Sequence, residues 1–331
     1  MKAAFIGSPG RIEKVYGGGR HERLAAEFEL HPDILTEQLL SKNVGELGDL
    51  KYLFSTWGMP ALARERIAQL PSLEALFYAA GSVRRFARPF LVSGVRVVSA
   101  WGANAVPVAE YTVAQILLAN KGFFRAARAA RSREARRRYD PSAVPGNFEC
   151  TVALLGAGMI GRAVIELLRP YALDVIVFDP FLAHAEAEAL GVEKVKLEDA
   201  FSRGRVVSNH LANVHATRGM LRGELFASMR PGATFINTGR GATVDEGAMI
   251  DVLRRRPDLT AVLDVTAPEP PDDASPLHAL ENVVLTPHIA GATASHEVWR
   301  LADYMIDEAI ALRDGRPLRY EVTLEMLATM A

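Results

Sequence analysis

Three closely spaced glycines form the strongest chemical signature in this sequence. Gly156, Gly158 and Gly161 follow the apolar run 152–155 with the spacing G-x-G-x-x-G, and apolar residues at helical spacing continue to Leu168. The glycines therefore lie where a buried strand turns into a helix. Such a turn presents backbone N–H groups and the positive end of a helix to a pyrophosphate. We expect the cofactor to contact Gly156, Gly158, Met159, Ile160 and Gly161.

A carboxylate at the end of the next strand supports a dinucleotide site. The second predicted strand covers 174–178 and ends in Asp179, 18 residues after Gly161. A ribose-binding carboxylate is expected roughly 20 residues after the glycines. Asp179 is predicted to accept hydrogen bonds from the ribose hydroxyls and to repel a 2′-phosphate, which favours NAD over NADP.

Polar side chains follow the later predicted strands at regular places. Four strand-like runs cover 205–211, 233–239, 260–265 and 282–286. The polar residues at or just beyond their ends are His210, Arg240, Asp264 with Glu269 five residues on, and His288. Open parallel sheets bind ligands at the carboxyl ends of their strands, so this placement predicts one site. By itself, His210 is as compatible with a structural role as with a functional one.

Three stretches at these strand ends resemble a known family. Residues 237–241 (NTGRG), 264–270 (DVTAPEP) and 285–291 (LTPHIAG) look like the signatures of the NAD-dependent D-isomer-specific 2-hydroxyacid dehydrogenases. The similarity is dense from 107 to 293 and fainter before that. The resemblance implies an α/β fold, in which a Rossmann doubly wound parallel-sheet cofactor domain is inserted into a smaller flavodoxin-like α/β substrate domain.

The resemblance also implies a role for individual residues. Arg240 would orient the substrate, His288 would be the general acid/base, and Glu269 would be its partner. Asp264 would hold the nicotinamide amide. Further cofactor contacts are implied at Leu211, Ala212, Thr238 and Gly239, and substrate contacts at Ala80, Gly81 and Asn104.

The chemistry of these side chains suits reduction of a 2-oxo acid. A planar guanidinium such as that of Arg240 can hold the carboxylate and carbonyl of the substrate. Hydride transfer to the carbonyl carbon builds negative charge on oxygen, and a protonated His288 can donate to that oxygen. An ionised Glu269 nearby would favour the imidazolium and fix the ring.

Several residues depart from the family pattern. The usual His-x-Pro is here His210-Leu211-Ala212, and Gly81 is followed by Ser-Val-Arg-Arg without the usual Asp. These departures leave the identity of the acid open. Glu269 stands where the formate dehydrogenases of the family have Gln, which argues against formate. Trp57 and Trp101 lie in predicted loops and could line the substrate pocket or the core.

Two alternatives share this pattern. One is a phosphite-type dehydrogenase on the same scaffold. The other is a binding protein that senses NAD(H) without turnover, as in the transcriptional corepressors of the family. The presence of Arg240, Glu269 and His288 does not distinguish these two alternatives from a 2-hydroxyacid dehydrogenase.

Composition restricts the partners and the compartment. The chain has 331 residues, 49% hydrophobic content, a net charge of -1 and a single cysteine, Cys150. These values predict a cytoplasmic enzyme that binds neither nucleic acid nor a membrane. No H-E-x-x-H or paired cysteine indicates a metal site. Seven arginines between 125 and 138 are interpreted as a solvated helix or a subunit-contact arm rather than a nucleic-acid patch, and phosphate contacts to a substrate or cofactor are left open. We expect a homodimer formed through the cofactor domain.

The predicted elements divide the chain into two domains. Short strands at 51–54, 75–78 and 95–98 and a helix at 61–70 precede a long helix from Pro107 to Lys121. A final helix at 297–312 is predicted to return to the first part of the chain. The expected domains are 1–104 with 297–331 for the substrate, and 105–296 for NAD.

Overall fold

The computed structural model describes residues 1–42 and 47–328, which form two units. The first contains the described residues of Met1–Asn104 and those from Ala292 onward, and the second is Ala105–Gly291. The compact units divide between Gly291 and Ala292, five residues before the boundary predicted at 296/297. Ala292 is 1% exposed and belongs to the same apolar cluster as Val298 and Leu301, and so the segment packs with the first unit.

The first unit is built on a mostly parallel sheet. Its strands are β1 Lys2–Phe5, β2 Glu29–Leu30, β3 Tyr52–Ser55, β4 Ala75–Tyr78, β5 Arg96–Ser99 and, late in the chain, β13 Glu321–Val322. They are ordered β2-β1-β3-β4-β5-β13, and β13 alone is antiparallel to its neighbour. The first five strands have the flavodoxin-like order. The helices are α1 Pro9–Val15, α2 Arg20–Glu27, α3 Glu37–Lys42, α4 Arg64–Ile67, α5 Ala87–Val92, the start of α6 Trp101–Asn120, and α14 Ser295–Arg313.

The second unit contains a parallel sheet of seven strands among its described residues. The strands are β6 Phe148–Leu155, β7 Ala172–Phe178, β8 Glu193–Lys194, β9 Val206–Asn209, β10 Thr234–Asn237, β11 Thr260–Leu263 and β12 Val283–Leu285. Their order is β8-β7-β6-β9-β10-β11-β12. This is the doubly wound dinucleotide-binding order with one further strand, which confirms the predicted fold class. The remaining helices are α7 Phe123–Ala129, α8 Arg133–Arg138, α9 Met159–Leu168, α10 His184–Leu190, α11 Leu197–Arg203, α12 Gly223–Ser228 and α13 Glu246–Arg255.

The core of the second unit explains why the polar residues gather at one edge. Successive side chains of a strand point to opposite faces, and both faces of this sheet are covered by helices. Val152 and Leu154 pack on one face, and Ala153 and Leu155 pack on the other. The central strands β9, β10 and β11 are buried throughout. The residues that follow them are the first positions at which polar side chains can reach a ligand.

Several elements differ from those expected. The helix predicted at 61–70 is only α4, because its last residues turn into i→i−3 bonds, Gln69 N to Arg66 O at 3.2 Å and Leu70 N to Ile67 O at 3.0 Å. Helix α6 begins at Trp101, so Pro107 lies inside it rather than at its start. The arginine-rich segment forms α7 and α8, neither of which has a buried residue. No helix in the described part of the chain is long and apolar enough to cross a membrane.

Candidate functional site

The glycine turn between β6 and α9 has two positions that tolerate no side chain. Gly156 has a φ of 99°, and a Cβ there would lie 3.1 Å from the carbonyl of His210. A Cβ on Gly161 would lie 2.1 Å from the Gly156 oxygen. At Gly158, in contrast, a Cβ would meet nothing within 4 Å. The turn is therefore tight where it packs on itself, and it is open at the glycine that would approach a ligand.

The start of α9 offers free hydrogen-bond donors at this open position. The backbone N–H groups of Met159, Ile160 and Gly161 have no acceptor among the described residues, and Gly158 provides no side-chain cap. Unpaired N–H groups at a helix start suit a pyrophosphate. The Asp179 carboxylate accepts from the N–H of Ala157 at 2.7 Å, which fixes it beside the turn. The residues present therefore fit a dinucleotide.

Two buried asparagines hold the loops that follow β9 and β10. Asn209 Nδ2 donates to Asn237 Oδ1 at 3.0 Å and to Thr243 Oγ1 at 2.8 Å. Asn209 Oδ1 accepts from the N–H of Leu211 at 3.2 Å, and Asn237 Oδ1 accepts from the N–H of Gly239 at 3.1 Å. Both loops, which carry the predicted cofactor contacts at Leu211, Ala212, Thr238 and Gly239, are thus tied to one network.

Arg240 is positioned by the close approach of two loops. A Cβ on Gly241 would lie 2.0 Å from the Thr266 carbonyl, so only glycine fits between the loops after β10 and β11. The half-buried guanidinium of Arg240 donates from Nη1 to the Gly239 carbonyl at 2.7 Å. Burial lowers the pKa of Arg240, and the charge of Glu269 opposes that shift. The arginine stays cationic and lies within electrostatic reach of Glu269.

The Asp264 carboxylate holds the loop that carries His288. Asp264 is 3% exposed. Its Oδ1 accepts from Thr286 Oγ1 and from the N–H of Ile289, both at 2.7 Å, and its Oδ2 accepts from the N–H of Ala290 at 2.9 Å. The Asp264 carbonyl also accepts from the N–H of His288 at 3.1 Å. Asp264 therefore positions the predicted acid/base, whatever it contributes to nicotinamide binding.

Tyr111, on α6, completes this arrangement from outside the loop. Its hydroxyl lies 3.1 Å from Thr286 Oγ1. Because Thr286 donates its own proton to Asp264, Tyr111 is the donor to Thr286. Burial and the charge of Asp264 raise the pKa of Tyr111, which keeps the phenol protonated.

His288 and Glu269 meet directly at the carboxyl edge of the sheet. His288 Nδ1 contacts Glu269 Oε1, and the two side chains are 46% and 40% exposed. The contact occupies Nδ1 and leaves Nε2 for a substrate. His288 has a φ of 56°, a left-handed conformation that is uncommon for residues other than glycine. The loop that carries Glu269 is held in place two residues earlier, where the N–H of Ala267 donates to Glu246 Oε2 at 2.9 Å.

His210 is held by hydroxyl groups rather than by a charge. Nε2 lies 3.0 Å from Ser208 Oγ, and Nδ1 lies 3.4 Å from Thr238 Oγ1. Thr238 in turn contacts Thr112 at 3.1 Å. Burial lowers the pKa of His210 to about 4, so the ring is neutral at physiological pH. A neutral ring between two hydroxyls favours a structural role for this histidine.

The first unit places the predicted substrate contacts near one another. Ser99 Oγ donates to the carbonyls of Ala80 and Gly81 at 2.9 and 2.5 Å. The N–H of Ala80 donates to Tyr78 O at 2.8 Å, whereas the N–H of Gly81 has no acceptor among the described residues. A Cβ on Gly81 would lie 3.6 Å from Asn104 Nδ2. Gly81 and Asn104 are thus neighbours in this unit, and their role stays a prediction.

The two tryptophans have different surroundings. Trp57 is partly buried and lines a cavity of about 260 Å³ in the first unit, together with Arg11 and Lys14. Trp101 is the first residue of α6 and packs edge-to-face on Tyr320, with ring centroids 5.8 Å apart.

Sequence reasoning missed the residues that support the site. Asn209, Glu246 and Tyr111 belong to no motif, and Asn237 was noted only as part of the NTGRG stretch, without a role. The asparagines had one usable signal, because each is a polar residue that ends an otherwise apolar strand. Within the described ranges 1–42 and 47–328, no group of three or more His, Cys, Asp or Glu is placed to hold a metal ion.

The family model described as "D-isomer specific 2-hydroxyacid dehydrogenase, NAD binding domain" matches residues 113–290, more than half of the chain. D-3-phosphoglycerate dehydrogenase of Mycobacterium leprae is 36% identical over 203 residues, 61% of this chain and 38% of that protein. The enzyme of the same name from Archaeoglobus fulgidus is 29% identical over 232 residues, 70% of this chain and 43% of that protein. This chain therefore matches less than half the length of these two relatives.

The likeness in fold extends over both units. The apo structure of Rhodotorula graminis D-mandelate dehydrogenase has a TM-score of 0.80 to this chain and is 22% identical in sequence. The match covers 97% of each chain. At this level of sequence identity the structural similarity supports the architecture alone.

Proposed function

Because this chain belongs to the family of D-isomer specific 2-hydroxyacid dehydrogenases, with NAD as its cofactor, we propose that it interconverts a small 2-oxo acid and the corresponding 2-hydroxy acid. The observation that carries the proposal is the contact between His288 and Glu269, with the cationic Arg240 in reach of the Glu269 charge. These three side chains supply a proton donor, its partner and an anion-binding group at one sheet edge.

The chain's own residues have separate tasks in the reductive direction. When bound, NADH supplies the hydride that adds to the carbonyl carbon. Arg240 holds the carboxylate and the carbonyl oxygen of the acid in one plane. His288 donates the proton from Nε2 to the forming alkoxide, while Glu269 holds the ring at Nδ1 and stabilises the imidazolium. The proposal keeps Gly81 and Asn104 as substrate contacts, supported by the free N–H of Gly81.

We propose a class of acid, the small 2-oxo and 2-hydroxy acids, and not a single compound. The relatives named above are called D-3-phosphoglycerate and D-mandelate dehydrogenases, and their acids differ in charge and size.

The deciding experiment is NADH oxidation with a panel of 2-oxo acids. We expect at least one acid to be reduced, and H288A to lower kcat by roughly 10²–10⁴-fold, the usual scale for general acid–base catalysis. H184A is the matched control, because His184 is an exposed histidine at the start of α10. Tight NADH binding without turnover of any acid would favour the sensor alternative. Turnover of phosphite with NAD would favour the phosphite-type alternative.

Preference for NAD over NADP rests on Asp179. Besides Ala157 N–H, its carboxylate accepts from the N–H of Phe181 at 2.8 Å, so its position and charge beside the glycine turn are fixed. A 2′-phosphate there would meet a negative charge. We expect kcat/KM to be higher with NADH than with NADPH, and an equal or higher value with NADPH would reject the assignment.

We further propose a cytoplasmic homodimer formed through the second unit. Apolar side chains on its helices remain exposed, Leu118 at 36% and Phe123 at 48%, next to the arginine-rich helices α7 and α8. A twofold dimer is the commonest closed assembly. Light scattering at micromolar concentration should give twice the mass of one chain. The single buried Cys150 suits a reducing compartment, and cell fractionation tests that placement.

A further inference from the structure

Three arginines of the second unit lie together at the edge opposite the cofactor turn. Arg205 directly precedes β9, and Arg230 and Gly232 precede the neighbouring strand β10. Arg125 comes from α7. A Cβ on Gly232 would lie 2.5 Å from Arg125 Nη1 and 3.2 Å from Arg205 Nη1, so these two nitrogens are within about 6 Å of each other. Arg125 and Arg205 therefore meet at the amino ends of strands whose carboxyl ends carry the catalytic loops. Arg230 lies close enough for its charge to lower the pKa of Arg205.

The cluster lacks a counter-charge. Within the described residues, no ion pair links Arg125, Arg205 or Arg230 to a carboxylate. The neighbouring carboxylate, Asp258, already forms an ion pair with another arginine. It pairs with Arg256 through two hydrogen bonds of 2.9 and 2.8 Å and accepts from the N–H of Gly232. Like charges at this separation repel, and burial and the Arg125 charge lower the pKa of Arg205.

A buried donor of Arg205 also lacks a partner. Nη1 donates to Pro231 O at 2.7 Å, but Nη2 is fully buried and has no hydrogen-bond partner among the described residues. Leaving a charged group's donor unsatisfied in a protein costs free energy, which a bound anion would offset.

We propose that Arg125, Arg205 and Arg230 form an anion site for a tetrahedral phosphate group. A cluster of guanidinium groups suits phosphate better than a carboxylate as its ligand, because phosphate offers several acceptor oxygens and up to two charges. The site lies at the amino edge of the sheet, whereas cofactor and substrate are assigned to the carboxyl edge. Its ligand is therefore separate from the reaction, and either free phosphate or the phosphate of a metabolite would supply the chemistry.

Calorimetric titration of the NADH-saturated protein with inorganic phosphate tests the site. Bound NADH blocks the glycine turn, which would otherwise bind phosphate itself. Ionic strength is held constant with chloride, so that non-specific screening does not change. We expect saturable binding and a rise in Tm with phosphate. R125Q and R230Q should each weaken the phosphate Kd by at least tenfold and abolish that rise.

R137Q is the matched control, since Arg137 is an exposed arginine of α8 outside the cluster. It should bind phosphate like the parent. R230Q guards against misfolding, because Arg230 is exposed and its side chain makes no hydrogen bond among the described residues. Adding potassium phosphate or a phosphorylated sugar in separate titrations distinguishes the two sources. The proposal is overturned if the parent binds no phosphate, or if R125Q and R230Q bind it like R137Q. It is also overturned if R125Q alters the oligomeric mass without altering phosphate binding, since a partner subunit would then face the cluster.

Discussion

Replacing Asp264 by asparagine tests whether this carboxylate positions the loop of His288. The change keeps the shape of the side chain and removes one acceptor and the charge. In the parent, one carboxylate accepts three hydrogen bonds, from Thr286, Ile289 and Ala290. An amide can present its oxygen to only one side, and so its NH₂ group must face either the Ala290 N–H or the Thr286 and Ile289 donors.

The magnitude follows from counting these bonds. A hydrogen bond to a charged group contributes about 1.5–3 kcal/mol, and one between neutral groups about 0.5–1.5 kcal/mol. With the amide oxygen towards Thr286 and Ile289, two bonds weaken by roughly 1 kcal/mol each, and the Ala290 N–H is left unsatisfied at about 1–3 kcal/mol. Removal of the buried charge returns part of its desolvation cost. We expect D264N to destabilise the loop by about 3 kcal/mol.

Native-state hydrogen exchange on the cofactor-free protein is the direct assay. Protection of the Ile289 and Ala290 amides should fall by about two orders of magnitude, the population change that 3 kcal/mol produces. With substrate and NADH, kcat/KM should fall by roughly 10–100-fold, because His288 leaves its position more often. D245N is the matched control, since Asp245 is an exposed N-cap of α13 and asparagine caps a helix equally well.

Two results would contradict the reasoning. If D264N keeps parental exchange at Ile289 and Ala290, the carboxylate does not hold the loop. If D264N weakens NADH binding without any change in exchange of the cofactor-free protein, its main role is the nicotinamide contact that the family resemblance implied.

Three further substitutions address the remaining residues. R240K keeps the charge and loses the planar fork, so KM for the 2-oxo acid should rise and kcat should fall. The Kd for NADH, measured by fluorescence, should stay unchanged. If R240K turns over the acid like the parent, Arg240 has another role. E269Q should lower kcat about tenfold or more. The double variant E269Q/H288A should have the same kcat as H288A alone, because both residues serve one proton transfer. Additive losses in kcat would show that the two residues act independently. His210 has a folded pKa of about 4 against about 6.5 when unfolded, so stability declines as pH falls from 6.5 to 4. H210Q should reduce this fall in the free energy of unfolding by on the order of 1–3 kcal/mol. If the urea midpoint of H210Q depends on pH as it does in the parent, the ring is not buried in the neutral form.

The parts of the fold with a strong periodic pattern could be predicted from the sequence. The prediction of a strand at 75–78 is confirmed by β4, because its residues are all apolar and buried on both faces. The glycine turn was predictable for a related reason, since the short contacts at Gly156 and Gly161 leave no other residue type free to occupy them. Short edge strands such as β2 and β8 have only two residues each and therefore no period to detect.

The site was predictable where chemistry and position coincide, and not where it depends on a three-dimensional network. His288 and Glu269 were paired from the family signatures, and the structure brings them into contact. The positioning role of Asp264 depends on three donors that lie 22 to 26 residues away along the chain. No local pattern encodes which donors such a carboxylate will meet, because that is decided by the register of β11 beside β12.

The conformation of His288 links these observations into one physical requirement. A histidine at a φ of 56° is strained relative to glycine, by about 1 kcal/mol or more. Such a conformation persists only where the surroundings fix it. Here the N–H of His288 donates to the backbone carbonyl of Asp264, and those of the next two residues donate to its carboxylate. Glycine would relieve the strain but remove the imidazole. The buried carboxylate at the end of β11 is therefore what allows a proton-donating side chain to occupy a backbone position that otherwise favours glycine.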